Sequence, residues 1–203
     1  MKRRQLIVVP PLLALVPRAA GALVATPAQT PGPFYPDVLP LDDDNDLAQV
    51  AGQPRPALGT VLHLAGRVLA PDGEPVPGAL VEIWQCDANG RYHHPRDAGE
   101  VAPDPGFQGY GRVASVPDGG YRFRTIRPVA YPGRTPHIHF AVTAPGRRPL
   151  VTQMYVRDEP RNPGDFLYAR IPMPLRGLVT VALAPAPTAP LELAGRFDIV
   201  LAH

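Results

Sequence analysis

Pro136-His137-Ile138-His139-Phe140-Ala141-Val142-Thr143 has the pattern of a β-strand buried on one face. Side chains alternate across an extended strand, so His137 and His139 share one face while Ile138, Phe140 and Val142 share the other. The apolar set requires a core. The two imidazoles form either a metal pincer, since neutral imidazole is the commonest metal-ligand side chain, or a hydrogen-bonded pair. Two ligands alone do not decide between these.

Apolar runs separated by turn signals extend in both directions from this strand. Residues 60–70 and 79–86 form two strands around the turn Pro71-Asp72-Gly73, and Asp87-Ala88-Asn89-Gly90 ends the second. Ala79-Leu80-Val81-Glu82-Ile83-Trp84 is apolar on nearly both faces, as a central strand requires, which places Trp84 in the core rather than as a substrate platform. Residues 109–116 and 121–126 flank Pro117-Asp118-Gly119-Gly120 as a hairpin. After the H-x-H strand come a strand at 150–157, an irregular stretch at 159–174, and strands at 177–183 and 195–201 joined by the linker-like Ala184-Pro185-Ala186-Pro187. About seven or eight such strands with long irregular loops specify an all-β chain, a β-sandwich. The composition agrees: 29 Pro and 19 Gly punctuate a 203-residue chain that is 45% hydrophobic. That length suits one domain with a sizeable core.

Three regions are expected: an export signal at 1–22, a Pro-rich arm at 23–58 lying on the surface or on a partner, and the sandwich at 59–203. Lys2, Arg3 and Arg4 precede the apolar run 6–16, which is too short to span a bilayer, and Ala20-Gly21-Ala22 offers a small-residue cleavage site. Arg3-Arg4 suits ordinary secretion and the twin-arginine route alike. An exported protein, periplasmic or secreted, follows, with no stable membrane insertion once the signal is removed. Cleavage takes away four of the 20 basic residues and none of the 18 acidic ones, leaving a formal charge of −2. Without a basic stripe, nucleic acid is not an expected partner. Cys86 is the single cysteine, so an intrachain disulfide is excluded. Asp42, Asp43, Asp44 and Asp46 lack the turn glycine of a calcium loop and form a solvated loop.

Tyr131 and Tyr92 are the candidates to complete the pincer. Tyr131 lies six residues before His137 in a loop stiffened by Pro128 and Pro132, and Tyr92 opens the long loop after Asp87-to-Gly90. Two phenol oxygens and two imidazoles form a hard donor set that carries negative charge only when a nearby cation lowers the phenol pKa from about 10. Such a set favours iron(III) over iron(II) and lacks the thiolates or third histidine of most zinc sites. Each tyrosine taken singly also suits a core position.

Gly32-Pro33-Phe34-Tyr35-Pro36, Glu82-Ile83-Trp84-Gln85, Asn89-Gly90-Arg91-Tyr92, Tyr121-Arg122-Phe123-Arg124-Thr125-Ile126, Tyr131-Pro132, Pro136-His137-Ile138-His139-Phe140 and Gln153-Met154-Tyr155 occur in the order and spacing of the intradiol ring-cleavage dioxygenases. The chain resembles that family, and within it the protocatechuate-dioxygenase-like single-domain branch. The resemblance implies a non-haem iron(III), Fe(III), centre in a β-sandwich, with Tyr92 and His137 as equatorial ligands and Tyr131 and His139 as axial ones. It implies a catechol-type substrate cleaved with O2 between its hydroxylated carbons to a cis,cis-muconate-type diacid, with Tyr131 also taking up a substrate proton. Arg134 matches the family's active-site arginine, whose fixed charge stabilises negative charge on the substrate ring. Gln153 matches a glutamine beside the iron site and shares a strand face with Val151 and Tyr155, away from Met154.

Two departures bear on substrate. Five residues separate Tyr131 from His137, fewer than in protocatechuate enzymes, and Gly133 stands where those carry tryptophan. A more open pocket follows. His93 and His94 match no ligand and serve either as loop residues or as substrate-facing donors. The chain has no room for the N-terminal helical dimerisation domain of the catechol branch, although the arm makes a homo-oligomer plausible. The competing expectation is a transthyretin-like sandwich acting as a binding module, with a zinc-binding structural protein third. Only the enzyme needs both tyrosines beside both histidines.

Overall fold

A computed structural model describes residues 21–202 of the chain. The expected export segment, apart from its last two residues, lies outside the described residues. No helix among them is long and apolar enough to cross a membrane.

Among the described residues ten strands form two five-stranded sheets: β1 Val61–Leu69, β2 Leu80–Trp84, β3 Tyr110–Ala114, β4 Gly120–Ile126, β5 His137–Thr143, β6 Leu150–Val156, β7 Thr180–Val181, β8 Ala184–Ala186, β9 Ala189–Arg196 and β10 Ile199–Val200. In the first sheet β1 is central. It pairs antiparallel with β4 along Val61 to Arg67, and its other edge takes β9 at Leu62 to Ala65 and β10 at Val68 and Leu69, both parallel. The second sheet runs β3-β2-β5-β6-β7, which puts β2 and β5 in its interior. This is the expected all-β sandwich.

The core follows from strand alternation. Leu62, Leu64 and Val68 of β1, Phe123 of β4, Val81 and Ile83 of β2, Ile138, Phe140 and Val142 of β5 and Met154 of β6 are buried together between the sheets. Each such side chain stabilises the fold by about 1.5–3 kcal/mol relative to exposure. The alternate residues of the second sheet point to its outer face. There a second cluster forms from Trp84, Cys86, Tyr92 and Tyr110, with Phe34, Tyr35, Tyr131, Ala141 and Val151 packed against it. An outer face would ordinarily meet water; here the arm and the loops around Tyr92 and Tyr131 cover it.

Four expectations change. The strand number is ten because β7, β8 and β10 are only two or three residues long. Residues 159–174 are not merely irregular: a 3-10 turn at Asn162–Gly164 and helix α1, Phe166–Ala169, precede a second 3-10 helix at Met173–Leu178. Of the strand expected at 177–183 only Thr180 and Val181 form β7, Gly177 and Leu178 belonging to that 3-10 helix. Ala184-Pro185-Ala186 is an edge strand paired with β9, not a linker, and β8 tolerates Pro185 because an edge position leaves one side unpaired.

The arm is integral to the sandwich. Gln29 N–H donates to Val151 O at 2.7 Å, Thr26 N–H to Val200 O at 3.0 Å and Leu47 N–H to Arg124 O at 2.7 Å, while Leu47 and Ala48 are fully buried. The acidic run is also tied down. Asp46 accepts from Arg124 at 2.9 Å and Asp43 pairs with Arg112 at 2.6 Å.

Candidate metal centre

Strand β5 carries His137 and His139 to the covered outer face, and the register places Tyr155 opposite His137 and Gln153 opposite His139. Both imidazoles are buried, and their Nε2 atoms face each other at 3.1 Å. His137 Nδ1 donates to Thr135 O at 2.7 Å, which fixes its Nε2 as the unprotonated nitrogen. Trp84 lies flat against His139, ring centroids 4.9 Å apart and planes 6° from parallel. Trp84 is thus buried as expected, but in the outer-face cluster rather than between the sheets. On another side Gly32 of the arm, at φ 70°, sits where a Cβ would come within 3.3 Å of His139 Cε1. Any larger residue there would press on the ring.

The two tyrosines arrive from loops. Asp97 Oδ2 accepts from Tyr92 N–H at 2.6 Å, and Asp87 Oδ1 braces the same turn by accepting from Asn89 and Arg91 N–H at 2.8 and 2.9 Å. Tyr131 begins a tight turn closed by Arg134 N–H donating to Tyr131 O at 2.9 Å, with Gly133 supplying the left-handed φ of 82°. Phe34 of the arm stacks on Tyr92 at 4.5 Å. Ring centroids run Tyr92–Tyr131 5.5 Å, Tyr131–His137 5.5 Å, His137–His139 4.7 Å and His139–Tyr92 6.3 Å, a closed circuit of the four expected side chains.

This circuit fits a metal ion by its chemistry. Ligand nitrogens about 2.1 Å from a shared ion, at right-angle to tetrahedral spacing, lie about 3.0–3.4 Å apart, which the 3.1 Å between the two Nε2 atoms matches. Tyr92 Oη is buried with no hydrogen-bond partner, a costly state for a hydroxyl unless something else is bound there. Burial, with Arg134 adding to it, lowers His137 from 6.5 to about 3. Burial and then His137 lower His139 well below 6.5. Both imidazoles are therefore neutral donors at physiological pH. Burial and then Tyr131 raise Tyr92 well above 10, and burial raises Tyr131 against the pull of Arg134. These phenols ionise only beside a strong cation. Among the described residues no three His, Cys, Asp or Glu side chains gather as a metal cluster, so an ion held here relies on the phenols.

Arg134 sits beside the circuit. Its Nη1 is 3.4 Å from Tyr131 Oη and 3.3 Å from His137 Nε2, and its Nη2 donates to Gln153 Oε1 at 2.5 Å. Gln153 is completely buried. It donates through Nε2 to Thr30 O at 3.1 Å and accepts from Tyr155 Oη at 3.1 Å, linking arm, strand and guanidinium. The sequence reading missed Asp165, whose Oδ2 accepts from Arg134 Nε at 2.8 Å in a buried ion pair. Its local signal was an aspartate just before Phe166-Leu167, an N-cap for a short helix. His94 is buried and structural: Arg96 N–H donates to its Nδ1 at 3.1 Å, and Asp37 lies 3.4 Å from Nε2. His93 is exposed, packed over Gly109.

A cavity of about 560 Å³ opens beside the circuit, lined by Tyr131, Gly133, Arg134, Pro160, Arg161 and Asp165. Its size is within the range of small-molecule sites. The position of a Gly133 Cβ meets nothing within 4 Å, in keeping with the open pocket expected from the short loop.

A family model described as Dioxygenase matches residues 30–203, most of the chain. The chain belongs to the intradiol ring-cleavage dioxygenase family. Among curated family members, the protocatechuate 3,4-dioxygenase beta chain of Burkholderia cepacia is 43% identical over 146 residues, covering 68% of this chain and 58% of that one. Hydroxyquinol 1,2-dioxygenase of Nocardioides simplex is 36% identical over 155 residues, covering 66% and 48%. The chain thus spans about half the length of the curated relatives it matches. Among solved structures, the dioxygenase domain of a dioxygenase carbohydrate-binding protein fusion from Streptomyces sp. SirexAA-E superposes with TM-score 0.66 at 31% identity, over 88% of this chain and 99% of that one.

Proposed function

We propose that the protein is a non-haem iron(III) dioxygenase that cleaves a catechol-type diol between its two hydroxylated carbons, placing both atoms of O2 in a cis,cis-muconate-type diacid. The observation that carries this reading is the circuit of Tyr92, Tyr131, His137 and His139 next to an arginine-walled cavity. Family membership and the protocatechuate, hydroxyquinol and catechol names of its relatives support it. A binding module would have no use for four converging ligand-type rings.

Tyr92, Tyr131, His137 and His139 would hold the iron. When bound, iron(III) supplies the Lewis acidity that makes a diol acidic and its ring open to oxygen. The chain's own groups divide the rest. His137 and His139, kept neutral by burial, donate nitrogen lone pairs. Tyr92 Oη, sealed under Phe34, is a permanent anion once metal is present. Tyr131 borders the cavity, so its Oη is the phenolate placed to accept a substrate hydroxyl proton. Arg134 Nη1 points at the same region and holds a fixed positive charge where the diol becomes anionic. Trp84, Gly32 and Phe34 keep water from the far side.

Incubation with catechol, protocatechuate and hydroxyquinol under 18O2 tests the reading. A ring-opened diacid carrying two labelled oxygens is expected from at least one of them. No ring-opened product from any diol with iron-loaded protein defeats it. Export through residues 1–22 and self-association belong to the same proposal; cell fractionation and sedimentation velocity read them directly.

A further inference from the structure

Arg134 offers its guanidinium in three directions, and only one faces the circuit of rings. Nη2 is held by Gln153 Oε1 at 2.5 Å and Nε by Asp165 Oδ2 at 2.8 Å, leaving Nη1 toward Tyr131 Oη and His137 Nε2. The planar fork cannot turn without releasing both holds.

Asp165 is itself immobilised. Oδ2 also accepts from Thr135 N–H at 3.0 Å, and Oδ1 accepts from Leu167 and Tyr168 N–H at 3.0 and 2.9 Å at the start of α1. Its side chain is fully buried and that of Arg134 is 7% exposed, so the pair is shielded from solvent and salt. Both partners line the cavity, 31 residues apart in sequence.

We infer that Asp165 is a positioning residue for the reaction: it aims the Arg134 guanidinium so that Nη1 meets the reacting diol. This rests on the functional reading above and adds a group beyond the Arg134 and Gln153 matches. The competing role is a helix cap and turn brace with no part in turnover.

Asp165→Asn separates the two roles. Asparagine caps helices about as well as aspartate. With its single oxygen turned to Leu167 and Tyr168, its NH2 meets Arg134 Nε and Thr135 N–H donor to donor. The cap survives and the hold on the guanidinium is lost. Asp165→Ser, which caps through a hydroxyl too short to reach Arg134, provides a second variant with the same split.

Iron-loaded wild type, Asp165→Asn, Asp165→Ser, Arg134→Gln and the Asp165→Asn/Arg134→Gln double variant are compared. The expected result is kcat lower by about ten-fold or more in each Asp165 variant, with KM changed less than about two-fold. The double variant is expected to be no slower than Arg134→Gln alone, because coupled residues are not additive. The substrate-free visible band should also move to longer wavelength, since Tyr131 loses a cation at its oxygen. Losses that multiply in the double variant, or an unmoved band with kcat falling only as the folded fraction falls, overturn the inference. A wild type that takes up iron and opens no diol defeats the functional reading instead.

Discussion

Trp84 lies flat on His139, centroids 4.9 Å apart and rings within 6° of parallel. Neighbouring strands β2 and β5 put the two residues directly opposite each other in register. The indole thereby fixes the orientation of an imidazole that has little else to hold it, since His139 Nδ1 has no hydrogen-bond partner. Trp84→Ala is expected to cost about 3–5 kcal/mol of stability and about ten-fold or more in iron affinity. Urea unfolding and iron content per chain measure the two effects.

Gly32 and Gly73 form a matched pair for testing the arm. Both adopt left-handed φ, 70° and 88°, but a Cβ at Gly73 meets nothing within 4 Å while one at Gly32 lies 3.3 Å from His139 Cε1. Alanine at either position should cost about 1–2 kcal/mol in backbone strain. Only Gly32→Ala should also weaken iron retention, measured by competition with a chelator. Equal retention in both variants would show that the arm does not press on His139.

The strands were legible because alternation and turn chemistry are local. Ile138, Phe140 and Val142 announced a core on one side of β5, and the same alternation put His137 and His139 on the other. Helix α1 was not legible, being four residues long and too short to show a 3.6-residue period. The β8–β9 hairpin was hidden because Pro185 and Pro187 imitate a linker, and Pro185 is acceptable in β8 because that strand is at the sheet edge. The docking of the arm depends on contacts such as Gln29 with Val151 and Tyr155, far apart in sequence. The four ring residues were reached through spacing and family resemblance, whereas Asp165 joins the site through contacts with Arg134 and Thr135, 31 and 30 residues away in sequence.

Asp165 should shape the acid limit of stability. Burial alone would raise its pKa, but N–H groups of Tyr168 and Thr135 and the Arg134 guanidinium together outweigh burial and hold it below the usual value. A carboxylate depressed in the folded state binds fewer protons than the unfolded chain, so its contribution is complete above the unfolded pKa of about 3.9. That contribution is lost as pH falls toward the folded value. Urea midpoints measured from pH 6 downward should fall more steeply below about pH 4 in wild type than in Asp165→Asn. Parallel curves would contradict this.

Cys86 packs beside Tyr92 in the outer-face cluster, and burial, aided by the nearby Asp87 charge, pushes its thiol up to about 12. It is therefore neutral and shielded at physiological pH. A thiol-reactive dye at pH 8 should label native protein negligibly and unfolded protein once per chain. Rapid labelling of native protein would mean that the face under the arm opens readily.

The proposed activity requires Tyr92 and Tyr131 to bind iron(III) together with His137 and His139. Tyrosinate bound to iron(III) absorbs visible light by charge transfer, so the most direct measurement is the visible spectrum of iron-loaded wild type beside the Tyr92→Phe/Tyr131→Phe double variant. A red-brown wild type and a double variant without the band are expected. A wild type that stays colourless after iron loading, or a double variant that keeps the wild-type band, would contradict this iron binding.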